Sequence, residues 1–477
     1  MPDAVPIVLW SWVPITMALF WKLPPARAAL GCLLGGWLIL PTARFADDLA
    51  GVAFPYWIMP ACLPADQWTT KARVIGLSGL LGVMAFDPGV WRQFRPKVHD
   101  LPMLGWCLGP IASGLFNGLG PAASLANAAY LAESWGVPYL LGRLYFGDPA
   151  GLALLARGVV GGGLAYAPIC LVEFATGPRV YEMAYGFQPF RTIGMARYLG
   201  YRPIGFLEDG NQLGIWMASA AMVATWLWRS GQLARFGKIP GWMVAGLLVG
   251  LSILTQSAGA VALLVAGLAI IEAVRWADRT WPIVAVGALL LAFVGARAAN
   301  LFDAKALAMR TSVGRKLVDA SVRLDRGSFG WRLRVEERAA RLAIRRPLLG
   351  WGRWDWWRDA TRGERPWGLF SLVLGMGGLL GWSLLIGVFG LPLSAFLNLG
   401  PPRFWTMPNR APAAAMAGLL ALNLADAVLN SAFLLPFLAA AGGMVGMKSH
   451  AEAASDWLRR AQAGVGRATP PPREARR

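Results

Sequence analysis

The sequence predicts an all-α integral membrane protein, a polytopic helical bundle with about 12–13 spans and a large extracytoplasmic loop that contains an interfacial helix. Hydrophobic residues make up 56% of the 477 residues, only 15% are charged, and the mean hydropathy is +0.48. Apolar runs of roughly twenty residues, the length that crosses a bilayer as a helix, recur along the chain. Two long polar segments, 173–209 and 300–366, interrupt these runs.

The apolar runs define the predicted spans one by one, with boundaries uncertain by a few residues. The spans are 5–21, 27–42, 72–88, 101–119, 122–141, 150–172, 210–228, 239–256, 257–276, 281–298, 368–397, 411–429 and 431–447.

The short loops between the spans predict the orientation. Several are rich in Lys and Arg and lie at alternate turns of the chain, and basic short loops stay in the cytoplasm. The N-terminus and both polar segments then face outward, which in a bacterial inner membrane is the periplasm. The basic loops are Lys22–Arg27, Arg92–Lys97, Arg229–Lys238, Arg275–Arg279 and Arg403–Arg410.

This orientation divides the chain into four parts. Residues 1–299 form a transmembrane bundle with the outward loop 173–209, and residues 300–366 form the large periplasmic loop. Residues 367–447 form the C-terminal transmembrane helices. Residues 448–477 are basic and proline-rich, and are predicted to be a disordered cytoplasmic tail.

The charge indicates membrane and phosphate partners rather than nucleic acid. The chain carries a net charge of +19, which in a membrane protein reflects cytoplasmic loops and contacts with anionic lipids. The outward loop 300–366 is itself basic, with sixteen basic and eight acidic residues. Fourteen of the sixteen are Arg, which suits bidentate contact with phosphate. A phosphate-bearing lipid substrate is one explanation for the many arginines of this loop. The alternative is that they are solvated on the surface beside anionic lipid headgroups.

The large loop contains a predicted amphipathic helix. Trp331, Val335, Ala339 and Leu342 keep helical spacing, a stripe of arginines runs beside them, and Pro347 ends the helix. The tryptophans that follow suit a membrane–water interface. We therefore expect a helix lying on the membrane surface with an aromatic anchor; a helix that only caps the bundle is the alternative. The tryptophans are Trp351, Trp354, Trp356 and Trp357.

The outward loop 173–209 contains the best candidate for an anion site. Pro203 restricts the backbone of Arg202, and Gly205 and Gly210 permit sharp turns. Asn211 is expected to cap the helix that follows, and a helix N-terminus favours an anion. Arg202 is therefore a candidate phosphate ligand, unless it merely marks the membrane interface.

Transfer chemistry at such a site also needs a base. The candidates are outward carboxylates: Glu173 at a span end, Asp209 beside Arg202, and Asp355. Asp426 and Asn430 interrupt an apolar stretch near the last outward turn, where polar residues are functional unless they only satisfy helix contacts. Zinc-ligand spacing, a phosphate-binding glycine loop and a dinucleotide fingerprint are missing from the sequence, so no cofactor or metal is expected.

Four motifs together resemble the O-antigen ligase and polysaccharide polymerase superfamily. Arg202–Phe206 runs into a span, and Leu254–Gly259 joins two tight spans. A large late loop ends in Arg346–Gly352, and Gly377–Gly381 carries a glycine pair in the next span. Each motif is short, but their order around the two outward loops resembles the family over roughly residues 170–450.

The resemblance implies an enzyme that transfers a glycan from undecaprenyl diphosphate to an acceptor glycan or glycolipid on the periplasmic face of the inner membrane, without a metal. Arg202 would hold the diphosphate, with Arg191 assisting. Further substrate contacts are expected from Arg338, Arg341, Arg346, Asn211 and Asn430.

Two departures bear on this assignment. Ala258 stands where the ligases carry an Arg, and Trp367–Gly368 stands where they carry a His–Asn pair. The missing histidine favours a polymerase or an exported-polysaccharide relative over a lipid A-core ligase, and an inactive homologue is a further hypothesis. A transporter or flippase of the lipid-linked oligosaccharide and a non-catalytic member of an export assembly are the alternative functions. The single large asymmetric loop favours the enzyme, because transporters usually show paired halves.

Overall fold

The computed structural model describes residues 4–42, 69–92, 94–188, 195–197, 199–299, 301, 309–312, 314–316, 319, 328–358, 365–431 and 435–447. Arg191 and the tail 448–477 lie outside these residues, as does part of the large loop.

The described residues are almost all helical. The helices of the first half are α1 Val5–Trp10, α2 Trp12–Lys22, α3 Pro25–Ile39, α4 Lys71–Phe86, α5 Leu101–Phe116, α6 Pro121–Leu131, α7 Val137–Tyr145, α8 Pro149–Thr176 and α9 Val180–Tyr185. Those of the second half are α10 Gly210–Arg229, α11 Gly241–Leu254, α12 Ala258–Ala277, α13 Trp281–Ala298, α14 Ser328–Ala343, α15 Leu369–Leu397, α16 Ala411–Asp426 and α17 Leu435–Met447.

Short elements connect these helices. Single 3-10 turns occupy Pro88–Arg92, Val98–Asp100 and Pro402–Thr406, and a π-helical turn, Ala132–Gly136, joins α6 to α7. Strand β1 (Ala196–Arg197) pairs antiparallel with β2 (Gly200–Tyr201), and β3 (Arg235–Phe236) pairs with β4 (Ile239–Pro240).

The all-α membrane fold is confirmed. Every predicted span coincides with a helix or with two consecutive helices. Within the described part of the chain, five helical segments are long and apolar enough to cross a membrane, namely Val5–Lys22, α8, α12, α13 and α15. Helices α3, α11, α16 and α17 are apolar but shorter.

Helix α10 lies at the centre of the bundle. Its residues from Gln212 to Ala224 are all buried, and it packs against α8, α11, α12 and α16. Small side chains allow this close packing. A Cβ on Gly163 of α8 would lie only 2.6 Å from the Cβ of Ala220. The loop that precedes α10, which carries Arg202, is therefore fixed to a helix that is buried over most of its length.

Helix α15 is broken, and the end of the large loop fills the break. Gly378 has φ 62° and ψ −156°, so the helix cannot continue through it. The amides of Trp351 and Gly352 donate to the carbonyls of Gly375 and Met376, at 2.8 and 2.9 Å. In the other direction, the amides of Leu379 and Leu380 donate to the carbonyls of Pro347 and Leu348, at 2.7 and 3.1 Å. The motifs Arg346–Gly352 and Gly377–Gly381 are thus two halves of one structural unit.

The prediction for the tryptophans is wrong for three of the four. Trp354, Trp356 and Trp357 are at most 5% exposed, so their rings pack within the protein and do not face an interface. Trp356 lies directly on Gly375, where a Cβ would come 1.9 Å from the ring. Trp351 is partly buried and donates a hydrogen bond from Nε1 to the carbonyl of Leu342 at 3.3 Å. The tryptophans anchor the large loop to the bundle.

Helix α14 has the predicted amphipathic pattern. Val335 and Ala339 are buried, whereas the arginines of the neighbouring stripe are exposed. The helix packs against α13 and α15, which agrees with the alternative of a helix that caps the bundle. The exposed arginines are Arg334, Arg338, Arg341 and Arg345.

Candidate functional site

Charged side chains from three separate parts of the chain meet at one end of α10. Asp209 is in electrostatic contact with Arg332 of α14, with Arg365 before α15 and with Asp426 at the end of α16. Arg202 joins this group through Asn211, which hydrogen-bonds to both Arg202 and Asp209. We call Arg202, Asp209, Arg332, Arg365 and Asp426 the charged cluster.

Residues close to Arg202 in the sequence hold its guanidinium in place. The β1–β2 hairpin leads into it, and its amide donates to the carbonyl of Met195 at 2.7 Å. Nη2 of Arg202 donates to Oδ1 of Asn211 at 2.8 Å, and the residue is 9% exposed. The guanidinium lies on Gly210, where a Cβ would come 2.2 Å from Nε. Only glycine at position 210 leaves room for this conformation of Arg202.

Asp209, and not Asn211, caps α10. Its Oδ1 accepts hydrogen bonds from the amides of Asn211 at 2.9 Å and Gln212 at 2.7 Å. The predicted cap is therefore wrong, and so is the expectation that these amides receive an anion, because Asp209 already occupies them. Anion binding at this site has to come from the arginine side chains. Asp209 acts as a cap and a counter-charge, which leaves it poorly suited to be the base.

Glu173 fixes the Arg202 turn, which we define as residues 202–206. The side chain is 1% exposed, and its Oε2 accepts from the amides of Ile204 and Gly205, both at 2.7 Å. Its Oε1 accepts from the amide of Val180 at 3.0 Å. A carboxylate that is buried and used by three backbone donors cannot reach a substrate, so the prediction of Glu173 as a catalytic base is corrected to a structural role.

Arg332 and Arg365 are functional candidates that sequence reasoning did not single out. Arg332 donates to Oδ1 of Asn430, and Nη2 of Arg365 donates to Oγ of Ser431 at 2.9 Å. Their guanidinium carbons lie 5.0 and 4.8 Å from the ring centroid of Trp367, so both stack on the residue that stands in the place of the ligases' histidine.

The charge of both arginines is retained in this buried setting. Burial lowers the pKa of Arg365 to about 10, opposed by the carboxylates of Glu208, Asp209 and Glu336. Burial also lowers the pKa of Arg332. One sequence signal could have found Arg365: Arg365–Pro366 precedes a span in the same way as Arg202–Pro203. Arg332 carries no such signal, because it is one arginine of many on its helix.

Asp426 is the carboxylate best placed to act on a substrate. It is 6% exposed, and its Oδ1 accepts from Nδ2 of Asn430 at 2.7 Å. In the described part of the chain no group hydrogen-bonds to the buried Oδ2. Asn430 thus links Asp426 to Arg332, which places the two predicted residues, Asp426 and Asn430, beside each other at the charged cluster.

Glu336 anchors the start of α15 beside the cluster. It is fully buried and accepts a hydrogen bond from the amide of Gly368 at 2.5 Å. Burial raises the pKa of Glu336, and the nearby charge of Arg297 opposes this. The carboxylate therefore fixes the segment that carries Trp367.

The remaining predicted residues have other partners. Arg341 pairs with Glu337 of the same helix, and Arg346 contacts Asn117 and stacks on Trp351 at 4.4 Å. Arg338 is exposed. Asp355, the other carboxylate considered as a base, forms a bidentate pair with Arg353 at 2.6 and 2.9 Å.

Comparison with known proteins finds a family model that matches part of the chain. Residues 242–371 match a family model described as O-antigen ligase, a range that includes Arg332, Arg365 and Trp367. No curated protein matches the chain. The match supports membership of the O-antigen ligase superfamily.

Proposed function

From this membership of the O-antigen ligase superfamily, we propose that the protein is an inner-membrane glycosyltransferase of the ligase or polymerase type. It transfers or polymerises glycan from an undecaprenyl-diphosphate donor onto an acceptor glycan or glycolipid, at the periplasmic face. The observation that carries the proposal is that Arg332 and Arg365 gather around Asp209, to which Asn211 also links Arg202, while Asn430 links the buried carboxylate Asp426 to Arg332.

The arginines are proposed to hold the diphosphate of the donor. A guanidinium presents a planar fork of donors that matches phosphate oxygens. Three of them, partly desolvated, would stabilise the negative charge that develops on the leaving diphosphate. They supply the positive charge that this transfer needs, so the proposed reaction is independent of a metal ion. The three arginines come from segments that are distant in the sequence, which favours a shared ligand over incidental ion pairing.

Asp426 is proposed to be the general base. Its Oδ2 would accept the proton of the acceptor hydroxyl as the acceptor oxygen forms a bond to the anomeric carbon of the donor. The bond from that carbon to the diphosphate oxygen breaks, and its electron pair stays on the diphosphate. Asn430 orients the carboxylate and links it to Arg332.

The test is polymer formation from a lipid-linked oligosaccharide by the purified full-length protein in nanodiscs. Asp426→Asn keeps the shape of the side chain and removes the base, and should reduce the rate by about two orders of magnitude or more. Asp355→Asn is the matched control and should keep the normal rate, because among the described residues Asp355 pairs with the exposed Arg353, away from the charged cluster. Full activity of Asp426→Asn would rule out this base, and oligosaccharide translocation without polymer in the unchanged protein would favour the flippase.

A further inference from the structure

A fully buried lysine, Lys71, contacts the Arg202 turn from a different helix than the one that carries Glu173. Lys71 is the first residue of α4, and its side chain is 0% exposed. Its Nζ donates to the carbonyl of Phe206 at 3.0 Å and to the carbonyl of Trp37 at 3.3 Å. The ammonium also lies 4.4 Å from the centroid of the Trp37 ring.

This position is unfavourable for a cation. Removing an ammonium group from water carries a desolvation penalty, and the positive end of a helix dipole repels it further. An apolar side chain of similar length, such as Met, would fill the same space without that penalty. A lysine donates directed hydrogen bonds to two carbonyls at this position, which an apolar residue cannot do.

Lys71 holds a carbonyl of the turn, that of Phe206, whereas the contacts from α8 hold amides of the turn. Glu173 holds the amides of Ile204 and Gly205, and the hydroxyl of Tyr166 accepts from the amide of Phe206 at 3.0 Å. Tyr166 and Glu173 both belong to α8, whereas Lys71 belongs to α4. The turn is therefore clamped between two helices by the side chains of Tyr166, Glu173 and Lys71.

Lys71 is also electrostatically connected to the charged cluster. Glu208, two residues after the turn, is in electrostatic contact with both Lys71 and Arg365. Glu208 is itself held by Gln212, which donates from Nε2 to Oε1 of Glu208 at 3.0 Å. Movement of Lys71 would thus affect the segment from Arg202 to Asp209 at two points.

We propose that Lys71 is a positioning residue for the donor site: it fixes the carbonyl of Phe206 and thereby sets the guanidinium of Arg202 for the diphosphate. This inference rests on the proposed function, because it assumes that Arg202 binds the donor. It assigns a role to a residue that touches neither the substrate nor Arg202.

The experiment measures the affinity of the purified full-length protein in nanodiscs for undecaprenyl diphosphate. Lys71→Met should weaken binding about tenfold, comparable to the loss of one hydrogen bond to a charged group. Ser78→Ala is the matched control, since Ser78 is equally buried on the same helix and should leave affinity unchanged. Lys71→Gln keeps a donor that can reach Phe206 and should recover part of the affinity.

A double-mutant cycle separates positioning from general stability. If Lys71 acts through Arg202, then Lys71→Met should have no further effect in an Arg202→Ala background. Equal fold-losses in both backgrounds would overturn the proposal, as would unchanged affinity of folded Lys71→Met. Failure of both Lys71 variants to fold would assign the residue to the stability of the fold and overturn it too.

The same cycle distinguishes failure of the inference about Lys71 from failure of the proposed donor site at Arg202. Weak binding by Arg202→Ala together with normal binding by Lys71→Met would remove only the inference about Lys71. Normal binding by Arg202→Ala would remove the donor site of the proposed function, and the role of Lys71 with it.

Discussion

The guanidinium of Arg202 lies directly on Gly210, the first residue of α10, because that position carries no side chain. A Cβ on Gly210 would come 2.2 Å from Nε and 2.6 Å from Cδ of Arg202. The contact joins the turn that carries the arginine to a helix whose residues from Gln212 to Ala224 are all buried.

Gly210→Ala should therefore displace Arg202 and reduce polymer formation about tenfold or more, in line with the loss of a charge-assisted contact. The fold should survive, because alanine suits the first turn of a helix. Gly246→Ala in α11 is the control, since open space surrounds that glycine. Equal activity of both variants, at equal membrane abundance, would show that the contact does not position Arg202.

Arg202 itself should be needed as an arginine and not only as a positive charge. Arg202→Lys keeps the charge but loses the planar fork and the bond to Asn211, so much of the activity should disappear. Arg202→Ala should lose nearly all of it, with each lost contact worth ~1.5–3 kcal/mol, or tenfold to hundredfold. The measurement is accumulation of lipid-linked oligosaccharide and loss of polymer in cells. Normal polymer in Arg202→Ala cells would contradict the diphosphate site.

Trp367 should matter as an aromatic face for Arg332 and Arg365. Trp367→Phe keeps a ring for both guanidinium groups and should retain most donor affinity, whereas Trp367→Leu removes it. Each lost cation–π contact is worth ~0.5–2 kcal/mol, so two such losses predict a large drop in affinity for Trp367→Leu. Titration with undecaprenyl diphosphate measures the difference, and equal affinities of the two variants would exclude the stacking role.

The break in α15 should require glycine at position 378 but not at position 377. A Cβ on Gly378 would come 2.4 Å from the backbone of Leu348, and its φ of 62° disfavours other residues. Gly378→Ala should lower the free energy of unfolding by at least ~1–3 kcal/mol, seen as a lower Tm in detergent. Gly377→Ala, with nothing within 4 Å, should leave Tm close to its original value. Equal Tm values would mean that the loop is not held in the break.

The orientation of the bundle can be tested by labelling single cysteines, introduced into a variant without native cysteines. Arg345→Cys at the end of α14 should react with a membrane-impermeant thiol reagent added outside, and Lys238→Cys in a short basic loop should not. Both positions are exposed, so accessibility alone does not separate them. The reverse labelling pattern would place the charged cluster on the cytoplasmic face.

The sequence by itself determined where the helices lie and which turn carries the first arginine of the site. A run of apolar residues and an Arg–Pro pair before a span are local properties, so they can be recognised without knowing what packs against them. The amphipathic pattern of α14 was predictable for the same reason. Arg202, Asp426 and Asn430, which the sequence offers as site candidates, lie in or beside the charged cluster.

Only the tertiary structure decided which charged side chains meet. It brings Arg332 and Arg365 to the cluster and turns Arg341 and Arg346 to other partners, although all four belong to the same basic loop. It uses Glu173 and Lys71 to clamp the Arg202 turn, and it buries Trp354, Trp356 and Trp357. Each of these roles depends on contacts between residues far apart in the chain. The free energy of burying a charge or a ring is set by those contacts and not by the neighbours in sequence.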